Sequence, residues 1–127
     1  MTAIAWETIR EIGLRLPNTE LGTAWGTPVL RVKGRIFAGI PIHKSAEPHS
    51  LMVHVDVADR DVLIEEQPQI YYTAAHYENY PCVLVRLSRI RRDALADLLR
   101  MGHQSASRAK TAPKRASRSR ARTRRER

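Results

Sequence analysis

The stretch from Gly22 to Gly39, GTAWGTPVLRVKGRIFAG, constrains the fold most, because it is typical of a β-hairpin. A turn cluster precedes two short apolar runs, and Trp25 in that cluster is an aromatic of the kind usually buried. The apolar positions of both runs are even-numbered: Leu30, Val32, Ile36, Ala38 and Ile40. Side chains alternate between the two faces along a strand. The even-numbered residues of both arms can therefore lie on one face only if the connecting loop has an odd number of residues. We therefore predict a three-residue loop at 33–35.

The odd-numbered positions of the hairpin are then expected to face outward. Arg31, Lys33 and Arg35 would form a basic face and tip, and Phe37, of the same parity, would offer a ring for stacking. With Arg86 on a neighbouring strand, these cations would suit contacts to phosphates. The alternative is a solvated strand face that nearby acids partly neutralise, and both interpretations stay open.

Hydrophobic periodicity predicts three helices and five strands in the order α-β-β-β-α-β-β-α. The helices are expected at 4–16, 58–67 and 92–101, with Asp56 capping the second, Val62 and Leu63 turned inward, and Gly102 ending the third. Strands at 51–55, 70–73 and 82–87 follow the hairpin, the last of them in the interior of the sheet. This order favours an α+β two-layer fold with a mostly antiparallel five-stranded sheet and the helices on one face.

The charge divides the chain into a domain at 1–102 and a tail at 103–127. The first part holds 12 Lys/Arg and 12 Asp/Glu, whereas the tail holds 10 Lys/Arg and one acid, Glu126. The tail has no Leu, Ile, Val or aromatic residue, so we expect it to be disordered. Its candidate phosphate contacts are Arg108, Lys110, Lys114, Arg115, Arg118, Arg120, Arg122, Arg124 and Arg125. A polyanion is therefore the expected partner of the tail.

The remaining residues argue against an enzyme, a metal protein or a membrane protein. Cys82 is the lone cysteine, so no intramolecular disulfide forms, and a cytoplasmic setting is expected. It lies in an apolar strand, where an inert thiol is expected unless His76 approaches it. The spacing of His43, His49 and His54 matches no zinc pattern, and we expect no cofactor. We expect no signal peptide, and no apolar run in the sequence is long enough to span a membrane.

The aromatic loop AAHYENYP, at 74–81, carries a second candidate surface. Tyr77 and Tyr80 could reach phosphates with their hydroxyls or stack their rings on bases. The alternative is that both tyrosines pack over the edge of the core, since aromatic loops of this density are usually buried.

Three stretches together resemble the MmcQ/YjbR-like family: the LP turn followed by GTAWGTP (16–28), the VKGRIFA hairpin (32–38), and HYENYPCVLVRL (76–87). The resemblance covers about 6–99 and implies a secretion-chaperone-like fold, α-β(3)-α-β(2)-α. It also implies a DNA-binding role with a double-wing arrangement of loops, and it brings no enzymatic activity or cofactor. Ala75, Asn79 and the Arg91-Arg92-Asp93 segment depart from the family pattern, and the basic tail is outside it.

These observations predict a small non-enzymatic DNA-binding protein, largely without sequence preference and nucleoid-associated. The hairpin wing would contact phosphates, and the cationic tail would supply most of the affinity, on DNA or on another polyanion such as RNA. The alternative is a protein-interaction or chaperone-like module with an accessory basic tail. The chain is expected to be a monomer or a homodimer.

Overall fold

A computed structural model describes residues 4–108, which fold into three helices and six strands. In chain order these are α1 (Trp6–Leu14), β1 (Thr19–Ala24), β2 (Thr27–Val32), β3 (Arg35–Gly39), β4 (Ser50–His54), α2 (Val57–Glu66), β5 (Tyr71–Tyr72), β6 (Cys82–Arg86) and α3 (Arg92–Arg108). The strands form one antiparallel sheet in the order β1-β2-β3-β4-β6-β5. The predicted α+β fold and the interior position of the 82–87 strand are confirmed, with six strands instead of five.

The additional strand is β1, which pairs with β2 along its whole length. The pairing ends at Ala24↔Thr27, which leaves Trp25-Gly26 as a two-residue turn. Both turn residues have positive φ, 53° and 80°, as a type I′ hairpin requires. Trp25 therefore stands at a hairpin tip and is 75% exposed, so the expectation that it is buried is wrong.

The loop between β2 and β3 has two residues, so the predicted three-residue loop is also wrong. Val32 pairs directly with Arg35, and the turn consists of Lys33 and Gly34. Their φ values are 54° and 78°, again the left-handed pair of a type I′ turn. A turn of this kind matches the right-handed twist of the two strands, and its glycine tolerates the conformation without strain.

A β-bulge in β3 accounts for the misleading parity. The register changes from Leu30↔Ala38 to Arg31↔Ile36, so Phe37 is an extra residue with no partner on β2. The bulge turns Phe37 toward the helices, where its side chain is 0% exposed. The prediction that this ring lies on the outer face is therefore wrong.

Helix α3 continues past Gly102, where the sequence analysis ended it, as far as Arg108. Gly102, His103 and Ser105 are all buried. The His103 ring bonds the Pro17 carbonyl through Nε2 at 2.7 Å. The folded part thus extends beyond the predicted boundary at 102, and 109–127 lie outside the described residues, as does the prediction that they are disordered. None of the helices in 4–108 is long and apolar enough to cross a membrane.

The other two helices, predicted at 4–16 and 58–67, span 6–14 and 57–66. Gly13 lies against Leu30, and a Cβ at Gly13 would collide with the Leu30 side chain, so glycine here permits close packing. Asp56 occupies the N-cap of α2 but makes no side-chain capping bond. Val62 is 50% exposed rather than inward, whereas Leu63 packs against the core as expected.

The sheet separates two apolar clusters of unequal size. The main core lies between the sheet and the helices, and alternate residues of β4 and β6, such as Val53 and Val83, point into it. On the opposite face a smaller cluster contains Tyr77, Cys82 and Leu84. Within residues 4–108 this second face has no helix over it and is partly covered by loops, so it is where a binding site can form.

Candidate functional site

A groove of about 810 Å³ lies on the sheet face opposite the helices. Strands β2, β3, β4 and β6 form its floor, and the segments 40–44 and 76–81 form its walls. The apolar side chains that line it are Val29, Ile36, Ile40, Pro41, Ile42, Met52, Pro81 and Cys82. Concave apolar sites of this size suit small-molecule or side-chain-sized ligands.

Two exposed aromatic rings line the groove. Trp25, at the tip of the β1–β2 hairpin, is 75% exposed, and Tyr80, in the 76–81 segment, is 54% exposed. Ile42 between them in the chain is also exposed. Large apolar side chains that remain open to solvent beside a concavity mark an interaction surface more often than isolated exposed residues do.

His43 and His76 form a stacked pair in the groove wall. Their ring centroids lie 3.9 Å apart with an interplanar angle of 4°. The Ser45 backbone N–H donates to His43 Nδ1 at 3.0 Å, so the neutral His43 ring carries its proton on Nε2. The pKa of His43 is lowered by desolvation, by His76 and by Lys44. His43 therefore favours the uncharged state, and the stacked pair presents two parallel planar rings in the groove wall.

A hydrogen-bonded chain runs from the groove to the end of α3. Ser105 Oγ donates its one hydrogen to Asp56 Oδ1 at 3.3 Å, so Ser105 Oγ accepts a hydrogen bond from His54 Nδ1–H at 3.0 Å. Asp56 also forms an ion pair with Arg108 at 3.6 Å. His54 lines the groove, whereas Arg108 is the last described residue. These contacts therefore link the groove, through Ser105 and Asp56, to Arg108.

His54 makes the stability depend on pH. Its pKa is lowered by burial and by the charge of Arg35, and Asp56 acts in the opposite direction. The unfolded chain, with an ordinary histidine pKa of 6.5, binds more protons below that pH than the folded chain does. The contribution of His54 to the free energy of unfolding is thus fully present above about pH 6.5 and falls as the pH drops toward the folded pKa.

We expect His54→Gln to make the free energy of unfolding depend less steeply on pH, as urea unfolding at several pH values would measure. An unchanged slope would contradict the role given to His54.

The structure does not bring the hairpin cations onto one face. Arg31 pairs with Ile36, which lines the groove, whereas Arg35 pairs with Val32 of the main core. Cross-strand partners share a face, so Arg31 and Arg35 lie on opposite faces of the hairpin. Lys33 is exposed at the turn. The expectation of one basic face is therefore wrong, and the reason is the two-residue turn.

Arg86 is held by partners within the fold. Its guanidinium donates to both oxygens of Glu47 at 2.9 and 2.8 Å and to the Pro68 carbonyl at 3.0 Å. It also lies 4.4 Å above the ring of Tyr72. The hydrogen bond from Arg86 lowers the pKa of Glu47, so the carboxylate stays ionised opposite the cation. A phosphate would have to compete with this bidentate pair.

The two predicted tyrosines differ in exposure. Tyr77 is 9% exposed, and its hydroxyl accepts the His43 backbone N–H at 3.2 Å. Tyr80 stays open to solvent at the groove. Tyr77 thus packs against the fold, as the alternative interpretation expected, whereas the ring of Tyr80 is available for contacts.

The other candidates from the sequence show little reactive or metal-binding chemistry. Burial raises the pKa of Cys82 to about 11, so its thiol stays protonated. Within residues 4–108 there is no group of three His, Cys, Asp or Glu residues arranged to hold a metal ion. Of the predicted tail cations only Arg108 is described; outside the described residues lie Lys110, Lys114, Arg115, Arg118, Arg120, Arg122, Arg124 and Arg125.

The groove itself was not predicted from the sequence. Trp25 carried a usable signal, because a Trp-Gly pair between strand-like residues is compatible with a two-residue turn that would expose the ring. The contact between His43 and His76 has no signal in the sequence, because it joins two loops whose course depends on the whole fold. His54 and Cys82 are directly opposite on neighbouring strands, which only the register reveals.

Comparison with solved structures shows the same fold in a bacterial protein. The crystal structure of Deinococcus radiodurans protein DR2400, with family-model domain DUF419, superposes with a TM-score of 0.69 and 23% identity. The match covers 87% of this chain and 83% of that one. At this identity the likeness concerns the fold alone.

Sequence relatives and a family model agree with the predicted resemblance. Uncharacterised proteins of Mycobacterium bovis and Mycobacterium tuberculosis are 40% identical over 58 residues. This match spans 43% of the chain and 45% of each relative, so the chain matches less than half the length of these relatives. The family model YjbR matches residues 14–105, which is most of the described fold and confirms the resemblance. The chain therefore belongs to the YjbR family.

Proposed function

We propose that this chain is a non-enzymatic nucleic-acid-binding protein that acts largely without sequence preference. The observation that carries the proposal is the separation of charge: 12 Lys/Arg balance 12 acids up to residue 102, and 10 Lys/Arg face one acid beyond it. Such a segment binds phosphates by releasing condensed counterions, which needs no defined structure. The DNA-binding role implied by the resemblance supports the same proposal.

The described fold supports a division of labour in this binding. Arg86 is engaged with Glu47, and the hairpin cations are divided between two faces, so the folded part offers only scattered contacts such as Lys33. Most of the affinity is therefore assigned to the basic segment that follows Arg108. The protonated thiol of Cys82 supports a role other than nucleophilic catalysis.

Matched substitutions test this proposal. We expect the full chain to bind a random-sequence duplex and to lose about 10³–10⁵ in affinity between about 50 and 200 mM salt if six to ten phosphates are contacted. Replacing Arg118, Arg120 and Arg122 with Gln should reduce the salt slope by roughly 0.9 for each cation that contacts a phosphate. Fluorescence anisotropy over a salt series measures both quantities.

The control triple replaces Arg10, Arg15 and Arg89, which are exposed in the fold, with Gln. It removes the same charge and should leave the slope nearly unchanged. Equal effects of the two triples would show that net charge, and not the basic segment, sets the affinity. No binding of the full chain at low salt would overturn the proposal.

A protein-interaction module is the second candidate function, and two observations favour it. The groove is apolar, and β1 is an edge strand on which Leu21 is 45% exposed. Edge strands and apolar grooves both accept partner chains. This alternative expects no duplex binding at low salt, together with a dimer in light scattering or a captured peptide.

A further inference from the structure

We propose that the groove binds unpaired nucleobases, so that the protein prefers single-stranded nucleic acid to duplex. This inference rests on the proposed nucleic-acid function and specifies its substrate class. The bases of a duplex are stacked within the helix, whereas a single strand can present each base to a protein ring. Three features of the groove carry the proposal: its aromatic rings, its charge and its position.

The aromatic rings provide the stacking surfaces. Trp25 and Tyr80 are 75% and 54% exposed, although large aromatic side chains are usually more buried. His76 lies 6.0 Å from Tyr80, centroid to centroid, and stacks on His43. Stacking of bases on such rings is independent of sequence because every base has a π-face. The rings thus match a ligand that is planar and variable.

The charge of the groove suits an anionic strand. The described residues that line it include the cation Lys44 and no Asp or Glu. An anionic strand therefore meets Lys44 and no carboxylate from this part of the chain. A basic peptide, by contrast, would find no carboxylate partner there. Apolar walls around a base also remove ring surface from water, which favours binding without any specific hydrogen bond.

A chain of side-chain contacts links the groove to Arg108, the last described residue. His54, which lines the groove, is linked through Ser105 to Asp56, and Asp56 pairs with Arg108 at 3.6 Å. The next 19 residues hold nine Lys/Arg. The cations that follow Arg108 in the sequence would hold phosphates of the same strand whose bases enter the groove. Single-strand binders combine cations for the backbone with aromatic rings for the bases in this way.

The experiment compares oligo-dT, oligo-rU and a duplex of the same length, each with the full chain at the same salt. Phosphate contacts alone favour the duplex, since its contacts release more counterion, with slopes of about 0.9 against 0.7 per contact. We expect instead that both single strands bind more tightly than the duplex. We also expect their binding to quench the fluorescence of Trp25, an effect absent in Trp25→Phe.

Substitutions then assign the preference to the groove. Trp25→Ala and Tyr80→Ala should each weaken single-strand binding roughly fivefold to a hundredfold, the effect of losing one stacked base. Duplex affinity and the salt slope should stay unchanged. Trp25→Phe should restore most of the loss. The control is Val62→Ala, which removes a 50% exposed apolar side chain outside the groove and should have no effect.

The outcomes separate this inference from the function on which it rests. If the duplex binds as tightly as the single strands and Trp25→Ala changes nothing, the groove inference is wrong and the proposed function stands. If Trp25→Ala weakens single strand and duplex equally, the ring is not a base platform, and the inference is also overturned. If no nucleic acid binds, both fail together. A difference between oligo-dT and oligo-rU assigns the preferred sugar within the same chemistry.

Discussion

Replacing Phe37 with alanine is expected to lower the free energy of unfolding by about 3–5 kcal/mol. The ring is 0% exposed and meets the His103 ring edge-on, with centroids 5.4 Å apart. Alanine would leave a cavity between β3 and α3 that the rigid neighbouring backbone cannot fill. It would also remove the aromatic contact that holds α3 in its last turns.

The control for this prediction is the neighbouring residue, Ile36→Ala. Ile36 faces the groove and is only partly buried, so its truncation should cost well under half as much. Urea unfolding measures both changes, and parallel m-values would confirm that the denatured states are comparable. If Phe37→Ala cost less than Ile36→Ala, the ring would face outward as the alternating pattern predicts, and the bulge would be absent.

The order of elements and the antiparallel sheet were predictable because they depend on local periodicity. Val53 and Val83 point into the main core, and their neighbours along each strand point to the opposite face, because the register of the two strands is regular. Helix α1 places Ile9 at 0% exposure on the expected face. Such periodic patterns depend only on residues a few positions apart, so they can be recognised without knowing the tertiary contacts.

Parity failed at β3 because it assumes an uninterrupted register. One bulged residue reverses the faces beyond it, and nothing in the sequence from Arg35 to Gly39 marks where the bulge occurs. The bulge returns Ala38 to the same face as Leu30, although the turn at Lys33-Gly34 has only two residues. Local chemistry held the better clue, since a glycine in the second turn position is typical of a two-residue hairpin.

The extent of α3 and the groove were unpredictable for another reason. Gly102 looks like a helix stop, and the residues after it have little apolar character. Yet His103 and Ser105 are buried because each finds a hydrogen-bond partner in a distant segment. The groove likewise depends on loops that meet only in the folded chain. Tertiary partners decide both features, and no local pattern encodes them.

Several cations of the described fold are neutralised by neighbouring carboxylates. In the described part, the cations Arg86, Arg92 and Arg100 have carboxylate partners within the fold. These pairs are partly or largely exposed and contribute little to stability. Their effect is to neutralise the surface locally, and this is why the proposed function assigns the long-range attraction to the basic sequence after Arg108.

Replacing Gly102 with valine is expected to cost about 3 kcal/mol of stability, although glycine is a poor helix former. A Cβ at this position would lie 2.9 Å from the His54 carbonyl oxygen and 3.3 Å from that of Phe37, both of them backbone atoms. It would also lie 2.8 Å from Val53 Cγ1. Backbone cannot rotate away as a side chain can, so α3 must shift from the sheet.

The matched control is Gln104→Val, two residues along the same helix at an exposed position. It introduces the same β-branched side chain and should change the free energy of unfolding by less than about 1 kcal/mol. Because α3 also carries Ser105 and Arg108, we expect Gly102→Val to disturb the His54–Ser105–Asp56 chain as well. Urea unfolding and the histidine ring resonances of His54 report the two effects separately. Equal stabilities of the two variants would mean that α3 ends at Gly102 or does not touch the sheet there.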